Sequence, residues 1–251
     1  MEPGEAERNT FQSRESRLSI ISYPPIGHKS LPSDAPTSDN SPLKAIQEAT
    51  ASEPLTLQEE YENQRSWRAS CDKLTFIVCE APALGASAII RAGVADAEEH
   101  MRGDINMFIY GDELGAPEDE TASQLRGEID VMVAEKGHWR KGYGRAAVES
   151  LLIYVRRNLE GILKEYGGGD EAKMAGLMVK IKEDNAGSRA LFGGLGFRQT
   201  GEVNYFGEVM MVIAWRDVEG LVDGWLRPER GDERRAYEEI RYEGRDENED
   251  T

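Results

Sequence analysis

The chain has 251 residues with 30 basic and 47 acidic side chains, which give a formal net charge of −17. A chain of this length folds into one or two domains with a sizeable core. The excess of negative charge argues against nucleic acid as a partner, because few cationic side chains are available to replace the counterions around phosphates. It favours cationic or amine-bearing partners instead.

The composition also argues against a membrane protein and a disulfide-rich secreted protein. No apolar run reaches the roughly 18 to 20 residues that a membrane helix needs. The N-terminus lacks the basic segment and apolar core that are typical of a secretion signal. Cys71 and Cys79 are too few for a disulfide framework. We therefore expect a cytoplasmic protein whose thiols are reduced and which has no membrane partner.

The charge and the prolines divide the chain into three parts. Residues 1–45 hold 6 of the 10 prolines and 8 serines, and they are predicted to form a disordered arm in which only Leu18–Tyr23 resembles a strand. The segment 46–216 is predicted to be the folded domain. Residues 217–251 carry 13 acidic and 6 basic side chains and are predicted to be a largely disordered tail. A short docking helix near Val218–Leu226 remains an open alternative.

The first half of the domain is predicted to contain one helix and two strands. Thr56–Glu59 (TLQE) has the spacing of a capping box, in which each of the two end residues binds the backbone N–H of the other. It predicts a helix of about 14 residues that ends near Ala69. Two β-rich runs follow at Leu74–Cys79 and Asp104–Tyr110. The Ala-rich stretch between them, Glu80–Arg102, has no strong pattern and is expected to be a surface loop.

The next two elements are a strand and a long helix. Gly127–Ala134 is predicted to be a strand with Glu128 and Asp130 on one face, because side chains alternate between faces along a strand. A helix from about Gly142 to Asn158 follows, because its apolar residues recur at helical spacing. These apolar residues are Val148, Leu151, Leu152, Val155 and Leu159.

Four more elements complete the domain after a glycine linker at Gly167–Gly169. They are the strand Met174–Ile181, the helix Asn185–Gly193, and the strands Phe197–Glu202 and Phe206–Trp215. The last two strands are expected to pair antiparallel. The order of the elements predicts an α/β domain with a mixed central sheet flanked by helices.

The most informative motif lies just before the long helix and reads Trp139-Arg140-Lys141-Gly142-Tyr143-Gly144. Its two glycines let the backbone approach a ligand closely, and the free amides of the first helical turn attract an anion. Arg140 and Lys141 add positive charge. The motif fits a pyrophosphate site, although a tight strand-to-helix turn explains the glycines equally well. The spacing excludes both the G-x-G-x-x-G dinucleotide loop and the G-x-x-x-x-G-K-[ST] loop.

A second motif occupies Asn185–Phe197 (NAGSRALFGGLGF). An amide side chain stands at a helix start, an aliphatic-aromatic pair follows, and Gly196 provides a stop before the next strand. Alone, this motif is a plausible structural helix. Its occurrence one strand after the glycine loop is much more specific.

Together the two motifs resemble the GNAT superfamily of acetyl-CoA-dependent N-acetyltransferases. The loop matches the signature Q/R-x-x-G-x-G/A, and Asn185–Phe197 matches N-x-x-S/A-x-x-L-Y/F-x-x-x-G-F. The resemblance covers about residues 46–216. Within the superfamily, Thr50–Tyr61, Gly103–Asn106 and Gly127–Glu135 resemble the N-acetyltransferase 9 family. This resemblance implies acetyl transfer to protein N-termini, with tubulin as the proposed substrate.

The resemblance also implies a GNAT-type sheet that is splayed at its centre, with a β-bulge in Gly127–Ala134 that exposes main-chain groups. The pantetheine arm of acetyl-CoA would pair with this main chain, and its pyrophosphate would bind the amides of the glycine loop. The implied cofactor-binding residues are Val131, Met132, Val133, Trp139, Arg140, Lys141, Gly142, Tyr143, Gly144 and Asn185. No metal is expected, because His28, His100 and His138 lack the spacing of metal ligands.

Three features depart from the family pattern. Trp139 occupies the Gln/Arg position of the signature, so weaker cofactor binding is expected. Phe192 stands where many members have a tyrosine that protonates the leaving thiolate, so the acid must be water or another residue, with Tyr205 as a candidate. The family's opening strand should precede Thr50, where the Ser/Pro-rich arm stands instead. Leu18–Tyr23 is the segment able to replace it.

Glu128 is the candidate proton acceptor, because it matches the glutamate that histone-acetylating members place on this strand, and Asp130 is a second candidate. A solvated strand carboxylate explains Glu128 equally well. An α-amine with a pKa of about 7.7–8.0 is roughly 10–20% neutral at pH 7, whereas a lysine amine is below about 0.1% neutral. An N-terminal substrate therefore needs only a modest proton acceptor. The alternative function is a catalytically degenerate acyl-CoA-binding protein that acts through protein partners.

Overall fold

The structure is a computed structural model that describes residues 9–13, 18–21, 70–80, 89–91, 93–111, 124–167, 171–226 and 237–243, with Thr56, Gln58, Glu59, Glu62 and Ser66. The last four of these single residues are helical. The Thr56 N–H donates to Glu59 Oε2 over 2.7 Å, and the Glu59 N–H donates to Thr56 Oγ1 over 3.3 Å. The predicted capping box is therefore confirmed. The helix end predicted near Ala69 lies outside the described residues.

Ten strands in the described part of the chain form one sheet. They are β1 (Asn9–Ser13), β2 (Leu18–Ile21), β3 (Lys73–Glu80), β4 (Ile89–Arg91), β5 (Met101–Gly111), β6 (Gln124–Val133), β7 (Lys173–Lys182), β8 (Arg198–Thr200), β9 (Glu208–Ala214) and β10 (Tyr237–Glu243). Their order across the sheet is β4-β10-β1-β2-β3-β5-β6-β7-β9-β8. The pairs β4–β10 and β6–β7 are parallel and the others antiparallel. The predicted mixed sheet is confirmed, as is the antiparallel pairing of β8 with β9.

Three helices with defined bounds lie among the described residues, namely α1 (Tyr143–Tyr166), α2 (Ala186–Gly194) and α3 (Trp215–Trp225). α1 extends past the predicted end at Asn158, because Ile162 and Leu163 continue its apolar stripe into the core. It ends at Gly167, whose φ of 84° lies in the left-handed region that glycine adopts without strain. None of the described helices is long and apolar enough to cross a membrane.

One face of the sheet packs against the apolar side of α1 and forms the main core. Its largest fully buried side chains are Phe76, Ile105, Met107, Leu125, Leu151, Leu152, Leu177 and Leu195. Burial of each contributes roughly 1.5–3 kcal/mol relative to exposure. Because side chains alternate along a strand, the residues between the buried ones lie on the opposite face. That face carries the polar residues of β5 and β6.

The stretch Glu80–Arg102, expected to be a surface loop, contributes to the sheet and to a second small core. β4 lies within it and pairs in parallel with β10, and a 3-10 turn covers Glu98–His100. Ile90 is buried in a cluster with Cys79 and Ile240. The expectation of a loop is therefore wrong here. A three-residue strand that pairs with the far end of the chain leaves no local pattern to detect.

Segments near both ends of the chain add strands to one edge of the sheet. β2 pairs antiparallel with β3, so the strand predicted at Leu18–Tyr23 is confirmed over Leu18–Ile21, and β1 joins β2 to β10. α3 crosses the predicted domain boundary at residue 216 and buries Val218 and Val222. Regular structure thus extends into the arm and the tail that were predicted to be disordered. Each of these elements is held by a partner distant in sequence.

β10 is also held against α1 by side chains. The Arg157 guanidinium lies 4.5 Å from the ring centroid of Tyr237, and Arg157 Nη1 lies 3.6 Å from Glu239 Oε1. The Tyr237 hydroxyl donates to the same Glu239 oxygen over 2.8 Å. The acidic tail is therefore joined to the domain through a cation on its longest helix.

The sheet opens between β6 and β7. Their parallel pairing ends at Glu128 and Met178. Beyond that point β6 continues to Val133 along β5, and β7 continues to Lys182 along β9. The two diverging arms form a cleft, so the predicted splay is confirmed.

The β-bulge predicted within Gly127–Ala134 is not the cause of this cleft. The pairing of β6 with β5 is regular, and the irregular step with β7 falls earlier, between Leu125 and Arg126. There a Cβ atom on Gly176 would lie 2.3 Å from the Ile213 carbonyl oxygen, so β7 and β9 approach closely. The prediction of a bulge is therefore wrong, and divergence of the two strands exposes the main chain instead.

Candidate active site

The cleft exposes the main chain at the strand predicted to bind the cofactor. Val131, Met132 and Val133 pair with β5 on one side, and no described strand pairs with them on the β7 side. An unpaired strand edge offers N–H and C=O groups to an extended ligand, as it would to an added strand. This edge therefore suits a ligand arm that contains amides.

The glycine loop, defined as Trp139–Gly144, connects β6 to α1 and presents the start of that helix. Arg140 has a φ of 61° and is the one non-glycine residue with positive φ in the described part of the chain, and Gly142 has a φ of 93°. α1 begins at Tyr143 with no side-chain cap and no acidic residue in its first turn. The first amides of α1 are thus not bound by a capping side chain, and the helix dipole favours an anion there. The exposed Arg140 and Lys141 stand beside them.

The two glycines of the loop have different roles. Gly142 has the left-handed conformation that other residues rarely adopt, and a Cβ atom on it would meet nothing within 4 Å. A Cβ atom on Gly144 would lie 3.8 Å from Leu191 Cδ2 and 3.9 Å from Val133 Cγ2. Gly144 therefore lies between the end of β6 and α2, where a methyl group makes ordinary contacts and a large side chain is opposed.

Trp139 connects the loop to the exposed strand. Its Nε1–H donates to the Val133 carbonyl oxygen over 2.9 Å, and Lys136 Nζ lies 6.0 Å from its ring centroid. The residue is 53% exposed. The tryptophan that departs from the family signature thus supplies a different hydrogen-bond donor, which fixes the loop to the end of β6.

Asn185 stands at the start of α2, as the second motif predicts. Its Oδ1 accepts from the Ser188 N–H over 3.0 Å, which makes it the N-cap of the helix. Such a cap stabilises a helix by typically about 1 kcal/mol. The carboxamide oxygen is therefore committed to the helix, and the predicted contact with a pantetheine arm stays a prediction for its NH2 group.

Phe192 lies in the core and not at the cleft surface. It is 2% exposed, and its ring packs edge-on against Phe197 with the centroids 5.1 Å apart. Tyr205, the candidate acid, is 97% exposed and packs against Phe206 in the connection between β8 and β9. No contact in the described residues connects Tyr205 to the cleft, so its role as an acid stays a prediction.

Four polar side chains, here called the acid face, line β5 and β6 on the side opposite the core. They are Asp104, Asn106, Glu128 and Asp130. In the antiparallel register Asn106 lies opposite Asp130. Asp104 is two residues from Asn106 on the same face and diagonal to Asp130, within reach of a cross-strand interaction. The two residues predicted from sequence are thus joined by two more from the neighbouring strand.

Glu128 is engaged in an ion pair that bridges the cleft. Lys180 Nζ on β7 donates to Glu128 Oε2 over 2.9 Å. Glu128 and Met178 are the last residues paired between β6 and β7, so the ion pair of Glu128 with Lys180 lies where the two strands separate. The hydrogen bond to Glu128 raises the pKa of Lys180, so the ammonium group stays charged at neutral pH.

Asp104 and Asp130 have no Lys, Arg or His in an ion pair with them among the described residues. Burial raises the pKa of Asp104 to about 6, and the charge of Asp130 adds to this effect. Asn106 Nδ2 opposes it by donating to Asp104 Oδ1 over 2.7 Å. Partial burial and the charge of Glu128 also raise the pKa of Asp130, although part of the residue is exposed to solvent.

The sequence interpretation missed three members of this site. Asp104 and Asn106 stand two residues apart in a predicted strand, the same spacing that drew attention to Glu128 and Asp130. Applying the alternation rule to both strands would have found them. Lys180 left no comparable signal, because its contact depends on the parallel register of β6 and β7.

The cleft therefore combines three chemical environments. The glycine loop attracts an anion, the free edge of β6 accepts an extended chain with amides, and the acid face attracts a cation. Because Asp104 holds its proton more tightly than an ordinary carboxyl group, the acid face is also able to exchange a proton near neutral pH. This combination suits a reaction between a long anionic ligand and a cationic one.

Sequence comparisons agree with this chemistry. The family described as "Acetyltransferase (GNAT) domain" matches residues 39–198. An N-acetyltransferase 9-like protein of Schizosaccharomyces pombe is 37% identical over 185 residues, which cover 67% of this chain and 82% of the relative. The alpha/beta-tubulin-N-acetyltransferase 9 of Drosophila melanogaster is 35% identical over 168 residues, covering 67% and 72%. The Homo sapiens protein of the same name is 37% identical over 166 residues, covering 66% and 67%.

Proposed function

The chain belongs to the GNAT acetyltransferases and is related to N-acetyltransferase 9, and we propose that it acetylates the α-amino group of a protein N-terminus. The family accounts for N-acetyl transfer as the reaction. We further propose that acetyl-CoA is the donor and that the enzyme acts in the cytoplasm.

The observation that carries the proposal is that one cleft joins an anion site, a free strand edge and an acid face. The backbone amides from Arg140 to Gly144 would hold the pyrophosphate of acetyl-CoA. The main chain of Val131–Val133, apart from the Val133 carbonyl that accepts from Trp139, would pair with its pantetheine arm. The absence of a side-chain cap at the start of α1 is consistent with an anion there. Acetyl-CoA would supply a thioester carbon that is open to attack by a neutral amine.

The acid face supports an amine acceptor. An amine is cationic at neutral pH, and Asp104 and Asp130 lie on this face without a cationic partner among the described residues. An α-amine, with a pKa of about 7.7–8.0, loses its proton far more readily than a lysine amine, with a pKa of about 10.4. A carboxyl group of the acid face is a weak base, so it suits the α-amine better.

The names of two relatives support tubulin as the first protein acceptor to test. The Drosophila melanogaster and Homo sapiens relatives are both named for acetylation of α- and β-tubulin. The net charge of −17 is compatible with attraction of a positively charged N-terminus. Peptides with the N-terminal sequences of α- and β-tubulin are therefore the first candidates to test.

A panel of N-terminal peptides tests the proposal directly. Release of free thiol from acetyl-CoA is measured with each peptide, and each is paired with the same peptide blocked at its α-amine but carrying an internal lysine. We expect turnover with free α-amines and none with the blocked set. Turnover confined to the blocked, lysine-bearing peptides would contradict the α-amine assignment.

One observation favours the second candidate function, an acyl-CoA-binding protein without catalysis. Phe192 is buried where many family members use a tyrosine as the acid, and its ring has no proton to donate. Calorimetric titration with acetyl-CoA separates the two functions. Tight binding of acetyl-CoA with no turnover on any peptide would support the binding protein over the enzyme.

A further inference from the structure

We infer that Asp104 is the side chain that takes the proton from the acceptor amine, and that Asp130 helps to hold the same ammonium group. This inference rests on the proposed function and names a catalytic residue within its site. It assigns the proton step to β5 in place of Glu128 on β6, the residue that the sequence suggested.

Glu128 is poorly placed to act as the base because its carboxylate is already engaged in an ion pair. Its carboxylate accepts a hydrogen bond from Lys180 Nζ over 2.9 Å, and only 17% of its side chain is exposed. To take a proton it would have to give up the ion pair that bridges β6 and β7. Protonation of the carboxylate would therefore cost the contact between β6 and β7 at the point where the two strands separate.

Asp104 has the opposite surroundings. Its neighbour on β6 is Met132, which belongs to the free strand edge, and its neighbour on β3 is the apolar Ile77. The charged group that acts on it is the carboxylate of Asp130, diagonal on β6. On its own strand, Arg102 is held in an ion pair with Glu80.

A carboxylate beside another carboxylate and an apolar wall gains from an incoming cation. The ammonium group would satisfy the charge of Asp130 and give a proton to Asp104. Asn106 Nδ2 holds Asp104 Oδ1, so the other carboxylate oxygen remains to accept the proton. The arrangement thus separates two tasks, which are holding the cation and taking its proton.

The pKa differences favour Asp104 over an ordinary carboxylate as the base. They also favour an α-amine over a lysine amine as the acceptor. Moving a proton from an α-ammonium group of pKa about 8 to Asp104, whose pKa is about 6, is unfavourable by about 100-fold. The same transfer to an ordinary carboxylate of pKa about 4 is unfavourable by about 10,000-fold. A lysine ammonium group would face a penalty of about 10,000-fold even with Asp104 as the base.

The proposed step balances in atoms and charge. One N–H bond of the acceptor ammonium breaks and an O–H bond forms on Asp104. The freed electron pair of the nitrogen forms a C–N bond to the acyl carbon of acetyl-CoA, and the C–S bond breaks. The second proton that the nitrogen loses neutralises the departing thiolate through water, since the Phe192 ring has no proton to give.

The test compares Asp104→Asn with the wild type on acceptors of different basicity. One acceptor is an N-terminal peptide, and the others are small primary amines whose pKa values run from about 5 to about 10. An amine of pKa 5 is neutral at pH 7 and needs no base. We expect Asp104→Asn to lose about 100-fold or more in kcat/KM with the peptide and basic amines, and less than about three-fold with the least basic amine.

The pH profile and acetyl-CoA affinity provide independent readouts. The wild type should have an acidic limb on the peptide, losing activity as the pH falls through about 6. In Asp104→Asn, where only amine that is already neutral reacts, this limb should move to the pKa of the α-amine, about 8. Glu128→Gln should keep the limb, whatever its overall rate. Asp223→Asn makes the same chemical change at an exposed residue of α3 and serves as the matched control. Affinity for acetyl-CoA should stay within about two-fold in Asp104→Asn.

The possible outcomes of these experiments overturn either the assignment of Asp104 or the α-amine proposal. Equal losses in Asp104→Asn across all amines would overturn the inference, because a structural role does not depend on acceptor basicity. A move of the acidic limb to about 8 in Glu128→Gln but not in Asp104→Asn would return the role to Glu128. If small amines follow the expected trend while no peptide is acetylated, the α-amine proposal fails and the assignment of Asp104 stands.

Discussion

The glycine loop and the acid face lie in the same cleft, but the chain builds them in different ways. The loop is one continuous stretch whose conformation follows from its own glycines and from the helix that begins at Tyr143. The acid face and its counter-charge come from β5, β6 and β7, and their contacts depend on the register of three strands. A local motif therefore predicts a ligand site by itself, whereas the carboxyl groups of the acid face come together only once the sheet has formed.

The largest expected effect concerns the glycine loop. Gly144→Trp places an indole between Val133 and Leu191, where only a small side chain fits. We expect acetyl-CoA affinity to fall by about 100-fold or more, measured by calorimetry, because the first amides of α1 become blocked. Gly137→Trp is the matched control, since a Cβ atom there meets nothing within 4 Å. Equal affinity in both variants would show that the pyrophosphate binds elsewhere.

The next effect concerns the contact between β5 and β6. A Cβ atom on Gly103 would lie 1.8 Å from the Met132 carbonyl oxygen, so Gly103→Ala forces the free strand edge away from β5. We expect a loss of about 2–4 kcal/mol in the free energy of unfolding, measured with denaturant. Gly111→Ala, at the other end of β5, has open space around its Cβ and should change little. Similar stability of the two variants would mean that the strands do not meet this closely.

A smaller effect is the pH dependence that the acid face gives to the free energy of unfolding. The raised pKa of Asp104, about 6, means that the folded chain binds more protons than the unfolded chain between pH 4 and pH 6. The free energy of unfolding should therefore fall as the pH rises through this window, by about 2–3 kcal/mol from Asp104. Asp104→Asn should lack this fall and be the more stable protein above pH 6. An Asp104→Asn curve parallel to the wild-type curve would refute the burial of a protonatable group here.

The smallest expected effect concerns Trp139, which joins the glycine loop to the end of β6. Trp139→Phe keeps an aromatic ring but removes the hydrogen bond to the Val133 carbonyl. We expect acetyl-CoA affinity to fall about five-fold, which corresponds to about 1 kcal/mol for one hydrogen bond. Lys136→Met removes the cation near the ring and leaves the hydrogen bond, so it should have less effect. A greater loss in Lys136→Met would show that charge, and not the indole N–H, matters at this position.

The order of the main elements could be predicted because each has a local signal. The apolar stripe of α1, the alternation in β6 and the capping box at Thr56 are all visible within about one element's length. β4 and β10 could not be predicted, because β4 has only three residues and both strands pair with segments far away in sequence. The bulge predicted in β6 was wrong for a related reason, since the opening of the sheet depends on where β7 turns toward β9.

The residues of the candidate site were also predictable only where they have a local sequence signal. The glycine loop lies before α1 as predicted, and Asn185 lies at the start of α2. Alternation within β5 could have added Asp104 to the predicted site. The ion pair of Glu128 with Lys180 could not have been predicted, because nothing in either strand alone specifies which residues of β6 and β7 stand at the point of separation.

The position of β10 has a consequence for how the protein is made. β10 comes from residues 237–243, yet it lies between β4 and β1, two strands from the first 91 residues. A ribosome releases these early strands long before β10 emerges, so this edge of the sheet must wait until residues 237–243 have been made. Contacts of such long sequence separation form slowly. Until then, the edge of β1 that β10 will cover is open to pairing with other unfinished chains.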